Sequence, residues 1–409
     1  MYTITVLVQL LLLITFLWVA GTTLMGLLHP KKDKPGSGAY CSMAVVVCAH
    51  NEEAVVGKLL QSLAEQDYPR DKFHVFLLAD HCSDRTAAVG RTFEQVTVYE
   101  RSSGPRTGKG AVLTWGIPLI LEKNPGRFTH MVIFDADNVA DTGFLSALNQ
   151  SFDRGGRLIM GNRLPLNPYD NIISEWYSMY WLTVDNLLCK PHHSMNLSAI
   201  ISGTGFGFDL SLLEPEGWHT VTITEDMEFS MQQNFKGVFS DYQEEARFYD
   251  EQPTGFGTMI KQLRRWCTGN FEIAQHYRTV WFRHFRAKPD ARLIDNFVPM
   301  LMCTVFGFYF ISNVFWLLYN AVSGLPLFAP KDVLWWIFLY LLSLGIGTYS
   351  AAKGGLSLTK MLPGILTSGL YCLLISLVAV YSLFKPQRAW IPIAHRHKDF
   401  PRDFPDSPN

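Results

Sequence analysis

At 409 residues the chain exceeds a single typical domain, and with 48% hydrophobic and only 17% charged residues it is too oily for an ordinary soluble protein. A net charge of −1 and the lack of a basic arm leave no electrostatic footprint for nucleic acid. Seven cysteines with no Cys-x-x-Cys pair and no metal-ligand spacing are the pattern of reduced, buried thiols rather than of a disulfide scaffold.

The apolar residues are concentrated in segments 3–28, 296–330, 333–352 and 361–384, none of which contains Asp, Glu, Lys or Arg. Each can cross a hydrocarbon layer, which takes about 20 apolar residues. The first is too long for a cleaved leader, has no basic region ahead of it, and is followed directly by Lys31, Lys32 and Lys34. It reads as an uncleaved anchor whose basic flank, and the domain behind it, lie in the cytosol. The expected organisation is an anchor at 1–30, a linker at 31–41, a catalytic domain at 42–290, a membrane bundle at 291–385 and a tail at 386–409. That is a multi-pass protein of the cell membrane.

Within the globular segment, 43–48 is an apolar strand ending in Ala49-His50-Asn51-Glu52-Glu53. Val55, Val56, Leu59, Leu60 and Leu63 follow at helical spacing, so Asn51 is expected to cap a helix with an acidic first turn. Residues 73–79 form a second strand ending in Asp80-His81-Cys82-Ser83-Asp84, and 96–99 a third. Strand, helix, strand in this rhythm predicts a doubly wound, mostly parallel α/β sheet. Thr107-Gly108-Lys109-Gly110-Ala111 sets a lysine between glycines without the Walker spacing, so Lys109 is either a solvated loop lysine or a partner for an anionic ligand. Strand 131–134 then delivers Asp135 and Asp137 at its carboxyl end, where open α/β sheets place their ligands. An Asp-x-Asp there either closes a turn or holds a divalent cation carrying a diphosphate. Asp80 stands at the same edge, as a cap for the next helix or as an acceptor for the imide N–H of uracil.

Residues 172–188 repeat apolar side chains every fourth position, as a core helix does and as an amphipathic helix at a membrane face does. Thr224-Glu225-Asp226 reads as a helix start with Thr as cap and acids in the first turn. Segment 276–288 alternates rings and cations ahead of an apolar run and is expected as a second interfacial helix at an anionic leaflet. Lys385, Arg388, Arg396 and Lys398 argue for a C-terminus inside. Three single crossings after a cytosolic domain would put it outside, so 361–384, interrupted by Pro363 and Gly364, is the candidate for a re-entrant segment. Trp390-Ile391-Pro392-Ile393-Ala394-His395 suggests no role.

Taken together, Cys48-Ala49-His50-Asn51-Glu52-Glu53, Asp80 with Asp84, Gly108-Lys109-Gly110, Asp135-Ala136-Asp137, Thr224-Glu225-Asp226 and Gln262-Leu263-Arg264-Arg265-Trp266 follow one another as in membrane-integrated family 2 glycosyltransferases. Over about residues 42–290 the chain resembles the branch of hyaluronan, chitin, cellulose and poly-N-acetylglucosamine synthases. The resemblance implies an α/β GT-A fold flanked by transmembrane helices, a divalent cofactor (Mn or Mg) and a UDP-sugar donor, UDP-glucose or UDP-N-acetylglucosamine. It assigns Ala49, Asn51, Glu52, Asp80, Lys109, Asp135 and Arg265 to the donor, with Asp80 on uracil and Arg265 on the diphosphate. Asp137, with Asp135, would hold the metal; Asp226 would be the general base, with Glu225 beside it. Gln262, Trp266 and the glycine turn at Gly203 and Gly205 would meet the acceptor.

Displacing a nucleoside diphosphate from an anomeric carbon needs charge stabilisation on the leaving phosphate and a base for the attacking hydroxyl, and this set of residues offers both. One base without a carboxylate nucleophile implies inversion, hence a β-glycoside from an α-linked donor. The Gln-x-x-Arg-Trp element together with the interfacial helices resembles processive synthases, so the expected acceptor is a growing glycan exported as it is made, with a lipid, as in ceramide glucosyltransferases, as the alternative. Four apolar runs, fewer than the six or more of hyaluronan or cellulose synthases, and no Phe-x-Val-Thr-x-Lys gating motif argue against a wide single-chain pore. A third reading is a non-catalytic membrane scaffold of the same fold. The sequence is compatible with a homo-oligomer.

Overall fold

The structure, a computed structural model, describes residues 2–31, 36–295, 298–327 and 330–387. Lys32, Lys34 and the tail from Arg388, with its basic residues and its Trp390–His395 motif, lie outside the described residues. The chain forms two compact units. Pro30–Leu166 and His192–Glu251 build a sheet unit; Met1–His29, Asn167–Pro191 and Gln252–Arg388 build a helical unit. Segments 167–191 and 252–290, grouped by sequence with the catalytic domain, thus belong to the helical unit.

The sheet unit holds β1 (Met43–Ala49), β2 (Phe73–Asp80), β3 (Val96–Arg101), β4 (His130–Asp135), β5 (Val139–Ala140), β6 (Leu158–Pro165), β7 (Phe206–Asp209) and β8 (Asp241–Asp250) in the order β3-β2-β1-β4-β7-β6-β8-β5. Strands β3, β2, β1 and β4 are parallel neighbours, β7 runs antiparallel between β4 and β6, β8 is parallel to β6, and β5 is antiparallel to β8. The sheet is mixed and mostly parallel, as expected. Its centre is β1, Met-Ala-Val-Val-Val-Cys-Ala, whose short side chains from Met43 to Val47 are fully buried. A β-branched run buried on both faces is what a parallel sheet covered by helices requires. Helix Val56–Ala64 lays Val56, Leu59, Leu60 and Leu63 into the core, and Lys109–Lys123 does so with Val112, Leu113, Ile117 and Ile120.

Two capping expectations fail. Asn51 does not cap the helix, which begins at Val56; it has a φ of +57° and its Oδ1 accepts from the Ser83 N–H at 2.8 Å. The side chain is drawn to the loop after β2 instead of back to its own chain. Thr224 does stand at the N-cap of Glu225–Phe235, but its hydroxyl makes no capping bond.

In the helical unit, Leu7–Leu28, Thr304–Val322 and Val333–Lys353 are the helices among the described residues long and apolar enough to cross a membrane. Leu12 packs with Val305 and Tyr309, and Trp18 Nε1 donates to Asp295 Oδ1 at 2.8 Å. The fourth apolar run is broken at Thr367, into Leu362–Leu366 and Ser368–Phe384, so Pro363 and Gly364 lie inside the first of these helices rather than at the break. Helix Ile172–Val184 is not laid on a surface. Trp176, Tyr177 and Met179 are buried against Met259, Leu263, Met361, Ile365 and Tyr371, so its fourfold repeat is that of a core helix.

Two glycines in the turn before β7 separate strain from space. Gly203 and Gly205 have φ of +86° and +65°; a Cβ on Gly205 would lie 2.1 Å from Phe248 Cε1, and one on Gly203 would meet nothing nearer than Asp226 Oδ2 at 3.5 Å. Gly205→Ala is therefore expected to cost about 2–6 kcal/mol, because left-handed strain and overpacking of about 1–3 kcal/mol each add. Gly203→Ala should cost about 1–2 kcal/mol from strain alone. Chemical denaturation of the two variants side by side checks the difference.

Candidate active site

The register of β1, β2 and β4 brings their carboxyl ends to one edge: Ala49 pairs with Ala79, and Cys48 with both Leu78 and Asp135. Beyond the ladder, His50 Nδ1 contacts the Asp80 carbonyl at 2.6 Å, and Arg106 reaches His50 Nε2. Asp80 is the last residue of β2 and is 3% exposed, so its charge needs partners. Arg101 Nη1, from the end of β3, donates to Asp80 Oδ1 at 2.8 Å, and His81 Nδ1 lies 2.8 Å from the same oxygen. Asp84 accepts from the Thr86 and Glu53 N–H groups, while the next helix, Thr86–Gly90, has Arg85 at its N-cap and no side-chain cap, so Asp80 does not cap it.

Lys109 is not a solvated loop residue. It opens helix Lys109–Lys123 after Gly108, and its Nζ donates to Asp135 Oδ1 at 2.6 Å and to the Gly203 carbonyl at 2.8 Å. Gly203 in turn lies against Asp226, and Gly110 packs against Glu225, a Cβ there standing 3.1 Å from Glu225 Cβ. Lys109, Asp135, Gly203, Glu225 and Asp226 therefore converge, although they come from four separate stretches of sequence. Burial pulls the Lys109 ammonium towards its neutral form, but Asp135, Cys48 and Glu225 outweigh this and hold its pKa above the usual lysine value. The Cys48 thiol reports the same charges from the inside: burial, reinforced by Asp135, Glu225 and Asp80 and opposed by Lys109, pushes it up to about 12.

Past Asp135 the chain turns. Asp137 precedes Asn138, whose Nδ2 contacts Asp137 Oδ1 at 3.4 Å and donates to Asp250 Oδ1 at 2.8 Å. Among the described residues no group of three or more His, Cys, Asp or Glu is placed to hold a metal by itself. Two carboxylates at the sheet edge nevertheless fit magnesium or manganese, because hard cations of this kind take one or two protein carboxylates and complete their shell with water and substrate phosphate.

Of the other expected site residues, Ala49 accepts a weak bond from Cys82, the Glu52 N–H is held by Thr86 at 2.8 Å, and Gly205 is buried in the core. Gln262, Arg265 and Trp266 lie on helix Phe256–Ala287 of the helical unit. Trp266 is fixed there by Tyr177, Tyr180 and Trp181, with ring centroids 5.7, 5.9 and 5.2 Å away. Gln262 Oε1 is buried without a hydrogen-bond partner. The sequence reading missed Arg101, Arg163 and Asp250. Asp250 carried a usable signal, since it ends a strand as Asp80 and Asp135 do.

Because the Lys109 pKa is raised on folding, the stability its charge contributes is complete below the unfolded lysine value of about 10.5 and is lost only as pH climbs through the folded value. The melting-temperature gap between wild type and Lys109→Met should therefore stay flat from about pH 6 to about pH 9. With a pKa of about 12, Cys48 should resist iodoacetamide at about pH 8, where its thiolate fraction is on the order of 10⁻⁴; peptide mass spectrometry reads this out.

Residues 41–269 match the family described as Glycosyltransferase like family 2. The Bacillus subtilis (strain 168) protein named Probable glycosyltransferase YdaM is 22% identical over 314 residues, 73% of this chain and 71% of that protein. The beta-monoglucosyldiacylglycerol synthase of Trichormus variabilis is 26% identical over 263 residues, 62% of this chain, and the chain spans about half of that relative's length, 53%. The structure of the mannosyltransferase PcManGT from Pyrobaculum calidifontis, in complex with GDP-Man and Mn2+, superposes with a TM-score of 0.60 at 17% identity, covering 88% of this chain and 98% of that one.

Proposed function

Since the chain belongs to the glycosyltransferase-like family 2 and has a GT-A-like fold, we propose that it is a membrane-anchored, inverting enzyme that moves a sugar from a UDP-sugar to the hydroxyl of a lipid. The convergence of Lys109, Asp135, Gly203 and Asp226 at the carboxyl edge of the sheet carries this reading. In the reaction the acceptor oxygen bonds to the anomeric carbon, the bond to the diphosphate breaks with its electron pair, and the acceptor proton passes to Asp226. Lys109 supplies a fixed cation where negative charge grows on the leaving group. Asp80, oriented by Arg101, accepts the imide N–H of the base. Asp137 and Asp135 would hold the divalent ion, which when bound neutralises the diphosphate. The roles of Arg265, Gln262 and Trp266 rest on the motif.

A lipid acceptor, rather than an exported polymer, is favoured by the three spanning helices among the described residues and by the synthase relative. The basic flank at Lys31 supports a sheet unit on the cytosolic side. A glycan acceptor is the second reading, favoured by Trp266, whose fixed ring is a platform on which a sugar can stack.

Incubation of the purified protein with labelled UDP-glucose or UDP-N-acetylglucosamine, manganese and membrane lipid is expected to yield one organic-soluble product. A ladder of lengthening products would favour the glycan reading, and no released UDP with any donor would leave only the scaffold. Asp226→Asn should lower turnover by at least about 10²-fold with UDP affinity nearly unchanged. Asp137→Ala should weaken manganese-supported UDP binding, and calorimetry distinguishes the two.

A further inference from the structure

Where the β4–β7 ladder ends at Ile133 and Phe206, the two chains diverge into the Asp135–Asn138 turn and the Ser202–Gly205 turn. Side chains take over from the backbone there. The Asp135 N–H donates to Thr204 Oγ1 at 2.8 Å, and that hydroxyl donates to Asn138 Oδ1. Asn138 Nδ2 donates to Asp250 Oδ1 at 2.8 Å, while Asp250 Oδ2 accepts from Arg163 Nε and Nη2 at 3.1 and 2.7 Å. Arg163 Nη1 closes the circuit on the Ser202 carbonyl at 3.1 Å. Asn138 and Thr204 are 0% exposed, Asp250 5% and Arg163 8%.

We propose that the Arg163–Asp250 pair, acting through Asn138 and Thr204, is a positioning device that sets the spacing between the Asp135–Asp137 carboxylates and the glycine turn against which Asp226 rests. The pair is not needed to join its own strands, because β6 and β8 are already in register from Asn162–Arg247 to Pro165–Asp250. A buried ion pair adds little net stability over an apolar substitute, but a planar guanidinium donating through two N–H groups to one carboxylate oxygen, and through a third nitrogen to a carbonyl, fixes direction. Both ends of this one reach the site. Asn138 fixes the chain next to Asp137, and Ser202 fixes the chain next to Gly203, whose carbonyl holds Lys109. Donor-side carboxylates and acceptor-side base are thus referred to one buried charge.

The catalytic consequence rests on the transferase reading above; the mechanical one does not. Thr204→Val, close in shape, deletes the hydroxyl, and Thr204→Ser restores it. With the donor that supports turnover, Thr204→Val is expected to lose kcat on the order of 100-fold, as a displacement near 1 Å does, while the donor KM and manganese-supported UDP affinity move less than about threefold. Thr204→Ser should recover most of the loss. Arg163→Lys keeps the charge but not the fork, and should speed amide exchange in 135–138 and 202–205 together. Wild-type kcat in Thr204→Val, or a loss equal in Thr204→Ser, overturns the catalytic consequence. Faster exchange in one turn alone, or in neither, overturns the coupling, and it does so even if the wild type transfers no sugar and the proposed function itself falls.

Discussion

At the carboxyl edge of the sheet one lysine ammonium is shared by the carboxylate that ends β4 and the carbonyl of a left-handed glycine, and the surrounding acids are tolerable because that cation is there. Like charges gathered at one edge repel, and a fixed cation among them offsets that repulsion. The lysine reaches this point because Gly108, at φ +130°, lets the chain turn into helix Lys109–Lys123, so that the first helical side chain points back over the strand ends. Glu225 and Asp226, in the first turn of another helix, face the same corner from the opposite direction. A transferase needs this balance: enough positive charge to receive a diphosphate, and a carboxylate left basic enough to take a proton.

The parts of this arrangement that were legible in the sequence are those carried by local pattern. Strands β1, β2 and β4 are short apolar runs leading into polar residues, and burial on both faces of a parallel sheet writes that pattern into any sequence. The acids at 80, 135, 137 and 226 were legible because they sit at strand or helix ends. Asn51 misled because an Asn ahead of an apolar periodic run satisfies the capping rule, while its actual partner, Ser83, is contributed by another strand's loop. Arg163 and Asp250 are 87 residues apart and meet through β6 and β8, a pairing that no local period announces. The family 2 motifs grouped Lys109, Asp135, Glu225 and Asp226, which no local period links and which lie near one another in the fold.

In the helical unit the fourfold repeat of 172–188 was ambiguous for a physical reason. A helix buried among apolar helices and a helix lying in an interface both need a wide nonpolar face, and only the partners distinguish them. Those partners include a break. Trp176 Nε1 donates to Thr367 Oγ1 at 2.9 Å, and Glu175 accepts the Gly364 N–H at 2.5 Å. The first turn of Leu362–Leu366 thus has a backbone N–H satisfied by a side chain from helix Ile172–Val184.

That break limits how far the last helix can reach. Ser368–Phe384 has 17 residues, and at about 1.5 Å per residue its axis is about 26 Å long, against a hydrocarbon slab of about 30 Å. A rod shorter than the slab has no length to spend on tilt, which sets this helix apart from Leu7–Leu28, Thr304–Val322 and Val333–Lys353.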